Sequence, residues 1–70
     1  MMLSKEIKNR IKKGFDVKIE TDEKFYFFYK QEFTNGEIGG WCCDIYEENE
    51  IVETNFFDTD DDVIDEIKSI

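Results

Sequence analysis

Lys24-Phe25-Tyr26-Phe27-Phe28-Tyr29-Lys30, then Asn35-Gly36, then Trp41-Cys42-Cys43-Asp44-Ile45-Tyr46: on this stretch the fold turns. A run of consecutive aromatic residues fits the pleated surface of a sheet. Asn-Gly between two apolar-rich runs is a strong hairpin signal, because both central residues of such a turn need positive φ. The rest of the chain reads as elements that pair with this hairpin or cover it.

Residues 15–20 alternate, with Phe15, Val17 and Ile19 on one side and Asp16, Lys18 and Glu20 on the other. That is the pattern of a half-buried strand. Residues 21–24 form a polar turn before the second strand, 25–33. The third strand is 38–46, with Gly39-Gly40 offering a bulge or a close backbone approach. Residues 47–50 make another polar turn, and 51–57 the fourth strand. Ahead of the sheet, residues 4–13 read as a helix, with Ser4 as N-cap, Gly14 as stop signal and Leu3, Ile7 and Ile11 as its apolar stripe. Behind it, Asp58-Thr59-Asp60 opens a helix of about ten residues. Val63, Ile64, Ile67 and Ile70 form that helix's stripe.

The turns can be checked against one another. With the central hairpin on Asn35-Gly36 and four-residue outer turns, Ile19, Tyr26, Ile45 and Val52 share a row. Val17, Phe28, Cys43 and Thr54 form the next, and Phe15, Lys30, Trp41 and Phe56 the third. The other side carries Glu20, Phe25, Tyr46 and Ile51, then Lys18, Phe27, Asp44 and Glu53, then Asp16, Tyr29, Cys42 and Asn55. One face is apolar and one mixed. The chain is therefore expected to be a single α+β domain over residues 1–70: helix, four-stranded antiparallel meander, helix, with both helices on one face of the sheet.

A 70-residue chain buries only ~60% of its unfolded surface. Its eleven aromatic residues offset part of that handicap. With net charge −9 and no histidine, the chain lacks the commonest general base and metal ligand. The charge is uneven, with residues 1–30 netting +3 and residues 31–70 netting −12. An acidic half repels nucleic acid and attracts basic protein surfaces. The adjacent Cys42 and Cys43 would point to opposite faces of a strand and should not bond to each other. That suggests a reducing, cytoplasmic compartment. Met-Met-Leu-Ser followed by lysines does not read as a signal peptide, and no apolar run approaches a membrane span.

The sequence offers no catalytic residue and no cofactor motif. Asp58, Asp60 and Asp62 alternate like the start of a calcium loop. The match fails at Val63, where glycine is needed, and at Ser69, where a bidentate glutamate belongs. Asp44 and Glu53 fall beside each other, a carboxylate pair without a visible pocket. Aromatic sheets can stack bases, but those sheets need Lys and Arg around the rings. This one has Glu20, Asp16, Asp44 and Glu53, so no direct nucleic-acid contact is expected. What remains is the mixed face. Phe25, Phe27, Tyr29 and Tyr46, with Ile51 at the edge, make an apolar patch rimmed by acids, the mark of a protein interface. It fits either a basic partner or a second copy in a homodimer.

The opening Glu6-Ile7-Lys8-Asn9 helix, the Val17-Lys18-Ile19 strand, the small meander and the acidic C-terminal half together carry a resemblance. The chain resembles the small acidic phage-encoded inhibitors of bacterial defence nucleases, including anti-CRISPR proteins that mimic nucleic acid. The likeness covers the first twenty residues and overall composition. The aromatic sheet face and short tail depart from it. The resemblance implies a non-enzymatic inhibitor whose carboxylates stand in for phosphates in the basic channel of a defence nuclease. Glu47, Glu48, Glu50, Asp58, Asp60, Asp61, Asp62, Asp65 and Glu66 would be those carboxylates.

Overall fold

The computed structural model describes residues 3–32 and 38–70. The Asn35-Gly36 turn lies outside the described residues. Helix α1 (Lys5–Lys12) is followed by strands β1 (Val17–Glu20), β2 (Phe25–Glu32), β3 (Ile38–Glu47) and β4 (Glu50–Phe57), and by helix α2 (Asp60–Ser69). The strands form one antiparallel sheet in the order β1-β2-β3-β4. The fold is thus α+β, a meander between two helices. Among the described residues no helix is long and apolar enough to cross a membrane.

Both helices start and stop where local chemistry dictates. Ser4 Oγ accepts the Ile7 amide at 3.1 Å, satisfying an otherwise orphaned donor of the first turn. At the other end Gly14 takes φ 82°. Its amide donates to the Ile11 carbonyl at 3.0 Å and the Phe15 amide to the Arg10 carbonyl at 2.9 Å, the paired bonds of a Schellman stop. This stop engages the Phe15 backbone, so β1 begins at Val17 rather than at residue 15. Phe15 stays half exposed, 5.5 Å beneath the Arg10 guanidinium. Thr59 caps α2, its hydroxyl accepting the Asp62 amide at 3.2 Å.

The β1–β2 and β2–β3 registers follow the expected rows. Ile19 faces Tyr26 and Tyr26 faces Ile45, while Phe28 lies between Val17 and Cys43. The ladder shifts between Lys30 and Glu32, where Gly39-Gly40 occupies the facing strand. A Cβ built on Gly40 would overlap the Phe57 carbonyl oxygen, so the chain leaving β4 passes directly over this residue.

The β3–β4 register differs from expectation. Tyr46 faces Ile51 as expected, but Ile45 then faces Glu53, which leaves Val52 as an extra residue. An extra residue in one strand turns everything beyond it to the other face. Thr54 therefore pairs with Asp44, and Phe56 with Cys42. Val52 and Phe56, expected in the core, are 53% and 71% exposed. Phe57 takes the inward place instead and packs on Phe28, ring centroids 6.2 Å apart. The turn before the shift is tighter than the four-residue loop expected. Glu48 and Asn49 both have positive φ, 52° and 69°, and Glu47 pairs with Glu50. That is a two-residue type I′ hairpin turn.

One buried cluster joins Val17, Ile19, Phe28, Trp41, Cys43 and Ile45 of the sheet to Ile11 of α1 and Val63, Ile64 and Ile67 of α2. Trp41 and Phe28 are its largest fully buried members, each worth roughly 2–3 kcal/mol in area removed from water. Leu3, Ile7, Tyr26 and Ile70 pack against its margin. The Trp41 indole N–H donates to Asp60 Oδ1 at 2.8 Å, tying β3 to the start of α2.

Replacing Gly40 by alanine should force the outgoing Phe57-Asp58 backbone aside. A loss of about 1–3 kcal/mol in urea unfolding is expected.

Candidate functional site

Alternation along β2 sends Tyr26 and Phe28 to the buried cluster and puts Phe25, Phe27 and Tyr29 on the other side of the sheet. Phe25 meets Tyr46 edge-on across the β2–β3 pairing, centroids 5.7 Å apart. Phe27 and Tyr29 lie along β2 with centroids 5.4 Å apart. The Lys18 ammonium sits 5.7 Å over the Phe27 ring, a favourable cation–π placement. These rings are half-buried by one another and by their strand neighbours. Asp44 stands in the same row as Phe27 and accepts a hydrogen bond from the Thr54 hydroxyl at 2.9 Å. Phe56 extends this face across Cys42 towards Tyr29. The mixed face thus carries one more exposed ring than the sequence rows gave it. Ile51, facing Tyr46, closes its corner.

Glu53 does not join this face. The shift at Val52 pairs it with Ile45, so the expected carboxylate pair with Asp44 is not formed across the strands. The physical reason is the one-residue parity change: the residue beside Asp44 is Thr54.

The acids separate into two groups. In a meander the first and third turns lie at the same end of the sheet. Glu20, Asp22 and Glu23 around the first turn therefore join Glu47, Glu48 and Glu50 around the third. Together with Lys24, Phe25, Tyr46 and Asn49, most of them line an open hollow of about 530 Å³ whose apolar wall is the Phe25–Tyr46 pair. A second hollow beside it is lined by Asp22, Glu23, Glu47, Glu48, Glu50 and Val52. Lys24 Nζ approaches Glu47 Oε1 at 3.8 Å across this end. The sequence rows place Glu20 beside the rings but single out neither Asp22 nor Glu23. Their place was implicit in the even strand order.

Asp58, Asp60, Asp61 and Asp62 lie at the other end, eight residues along β4, roughly 25 Å away at the usual rise per residue. Two of them already have partners within the fold. Asp60 accepts the Trp41 indole. Asp61 accepts Lys12 Nζ at 2.9 Å, which joins basic α1 to acidic α2. That hydrogen bond holds Asp61 below its ordinary pKa and Lys12 above its own. Both side chains are largely exposed, so the pair orients the helices more than it stabilises them. Part of the charge contrast between the halves of the sequence is therefore spent inside the molecule. Among the described residues no group of three or more Cys, Asp or Glu side chains is arranged to hold a metal ion.

Both thiols are free and buried. Cys43 belongs to the core cluster, as expected. Cys42 lies on the mixed face yet is only 2% exposed, its Sγ 3.3 Å from Gln31 Oε1. Burial pushes the Cys43 thiol up from 9.0 to about 12, with the nearby Asp44, Glu66 and Glu53 carboxylates adding to the rise. Burial and then Asp44 push the Tyr29 phenol up from 10.0 to about 12.

No family model matches this chain, and neither a curated protein nor a solved structure matches it.

Two outcomes follow from the buried thiol and the phenol. Native protein at about pH 8 should leave both cysteines unreacted with Ellman's reagent, and unfolding in urea should release both. Cys43 and Tyr29 have folded pKa values raised above their ordinary ones, so the fold favours their protonated forms. Their stabilising contribution is complete below 9 and is lost as pH rises through 9 and 10 towards about 12. Urea midpoints measured from neutral pH upward should fall across that window, and Cys43→Ala should remove the earlier part of the fall.

Proposed function

We propose that this protein is a non-enzymatic binding protein that docks on a basic surface of a nucleic-acid-handling protein and blocks it. The observation that carries this reading is the continuity of two surfaces. The half-buried rings Phe25, Phe27, Tyr29 and Tyr46 run without a break into the acidic end formed by Glu20, Asp22, Glu23, Glu47, Glu48 and Glu50. Aromatic anchors beside a mostly acidic rim fit a partner that offers Lys and Arg around an apolar spot. The rings supply desolvated contact area, and the carboxylates supply steering and choice of partner.

The mimic inhibitors of defence nucleases that the sequence resembles work in this chemical manner, and a phage-encoded inhibitor of that kind is the form of the proposal. Within it, the turn-end acids take the role of phosphates. Asp60 and Asp61 are already engaged by Trp41 and Lys12 and serve the fold first. Two reduced, buried thiols suit a cytoplasmic working place. A second reading, a homodimer closed through the same sheet face, draws on the exposure of Phe56 and Ile51 beside those rings. A net charge of −9 per copy opposes it.

Capture of a nucleic-acid-handling protein from host lysate should succeed at low salt and fail at high salt. Reversing Glu47, Glu48 and Glu50 to lysine should weaken capture at least about tenfold. Unchanged capture by that triple variant would remove the acidic end from the mechanism. Light scattering that gives dimer mass at low micromolar protein, lost on Phe27→Asp, would favour the homodimer.

A further inference from the structure

The sheet has two edges, and the fold treats them differently. An edge strand presents a row of backbone N–H and C=O groups ready to pair with another chain, and natural proteins blunt such edges. The β1 edge is blunted. It is four residues long, with Val17 and Ile19 buried and Lys18 placed outside. Ahead of it the Arg10 guanidinium donates two hydrogen bonds, at 3.1 and 2.8 Å, to the Asp16 carbonyl. Those bonds occupy a backbone acceptor that an extended β1 would offer.

Beyond the shift at Val52 and the charges of Glu50 and Glu53, the β4 edge lacks such protection. It spans eight residues, Glu50–Phe57, without proline, glycine, lysine or arginine, and within the sheet it pairs with β3 alone. Residues 50–54 are all exposed. The shift at Val52 lies near its start, so residues 53–57 stay in regular register with β3. Val52 and Phe56 stand more than half exposed along this edge. Its charge has one sign. Glu50 and Glu53 lie on the strand, Glu47 and Glu48 precede it and Asp58 follows, and no lysine or arginine occurs between residues 31 and 67.

We propose that β4 is a docking edge to which a basic, extended segment of the protein partner adds as a fifth strand. This deepens the reading of a basic partner and rests on it. Main-chain hydrogen bonds would give such a strand its affinity, and its alternate side chains its specificity. Lysine or arginine facing Glu50 and Glu53 makes favourable cross-strand pairs, and apolar residues facing Val52 and Phe56 cover what is now exposed. A second copy of β4 is the poorer occupant, since it brings the same glutamates and another net charge of −9. An added strand beside β4 would also widen the aromatic face through Phe56, so edge and face would serve one partner together.

The probe is an eight-residue peptide of alternating lysine and valine with blocked ends. Its controls are the glutamate–valine counterpart and a lysine–valine peptide N-methylated at alternate residues. Amide NMR shifts and hydrogen exchange on the intact protein should report changes and new protection along β4, with β1 unaffected. The N-methylated and glutamate peptides should fail to produce them. The Val52→Lys, Phe56→Lys double variant should weaken the effect by about tenfold, because the new lysines repel those of the peptide across the added strand pair. Circular dichroism would verify that it folds, and Thr54→Lys alone would serve if it does not. Absence of any lysine-peptide effect at low salt overturns strand addition. So does an effect confined to Phe25, Phe27 and Tyr29, although that result leaves docking on a basic surface intact. Protection of β4 in peptide-free protein that grows with concentration also overturns the proposal, because a second copy then holds the edge. Failure of lysate capture with a positive peptide result would instead count against the blocking role.

Discussion

The single extra residue at Val52 governs more of this molecule than any one contact. Strand side chains alternate with a period of two, so one inserted residue exchanges the inward and outward sets beyond it. Because of it, Phe57 rather than Phe56 reaches the core and packs on Phe28. The chain then leaves β4 over Gly40, where only a glycine fits, and caps itself at Thr59. From there Asp60 meets the Trp41 indole and α2 lays Val63, Ile64 and Ile67 into the buried cluster. Without the shift, Phe56 would face inward and Phe57 outward, exchanging the ring in the core for the ring at the end of the aromatic face.

The charges show a similar division between structure and surface. A reader of the sequence sees a basic start and an acidic remainder. In the fold, α1 and α2 are in contact, and Lys12 and Asp61 join them. Arg10 is held by the Asp16 carbonyl and lies over Phe15. The carboxylates left to face outward at high density are those of the two turns at one end. Their concentration there raises the local field over one aromatic corner, and local fields decide encounter with a charged partner more than total charge does.

Much of the fold was legible because local chemistry and alternation agree. Ser4 and Gly14 mark the limits of α1, and Thr59 the start of α2, by satisfying end groups within a few residues. The β1–β2 and β2–β3 rows followed from periodicity, since a wrong register there would bury Lys18 and Asp44 and expose Phe28. The β4 register was not legible. Ile51 and Val52 are both apolar, and the strand reads equally well with either facing inward. Residues 51–57 alternate weakly, so the pattern holds no penalty for the wrong choice.

The sequence by itself determined the element order, the helix limits, the aromatic β2 and the acidic sign of the second half, because each depends on neighbours along the chain. Only the tertiary structure decided which of Phe56 and Phe57 is buried, which carboxylates are engaged inside the fold, and that the first and third turns make one acidic end. Those outcomes depend on atoms distant in sequence: a bulge set against Tyr46, a carbonyl passing Gly40, and an indole reaching for Asp60.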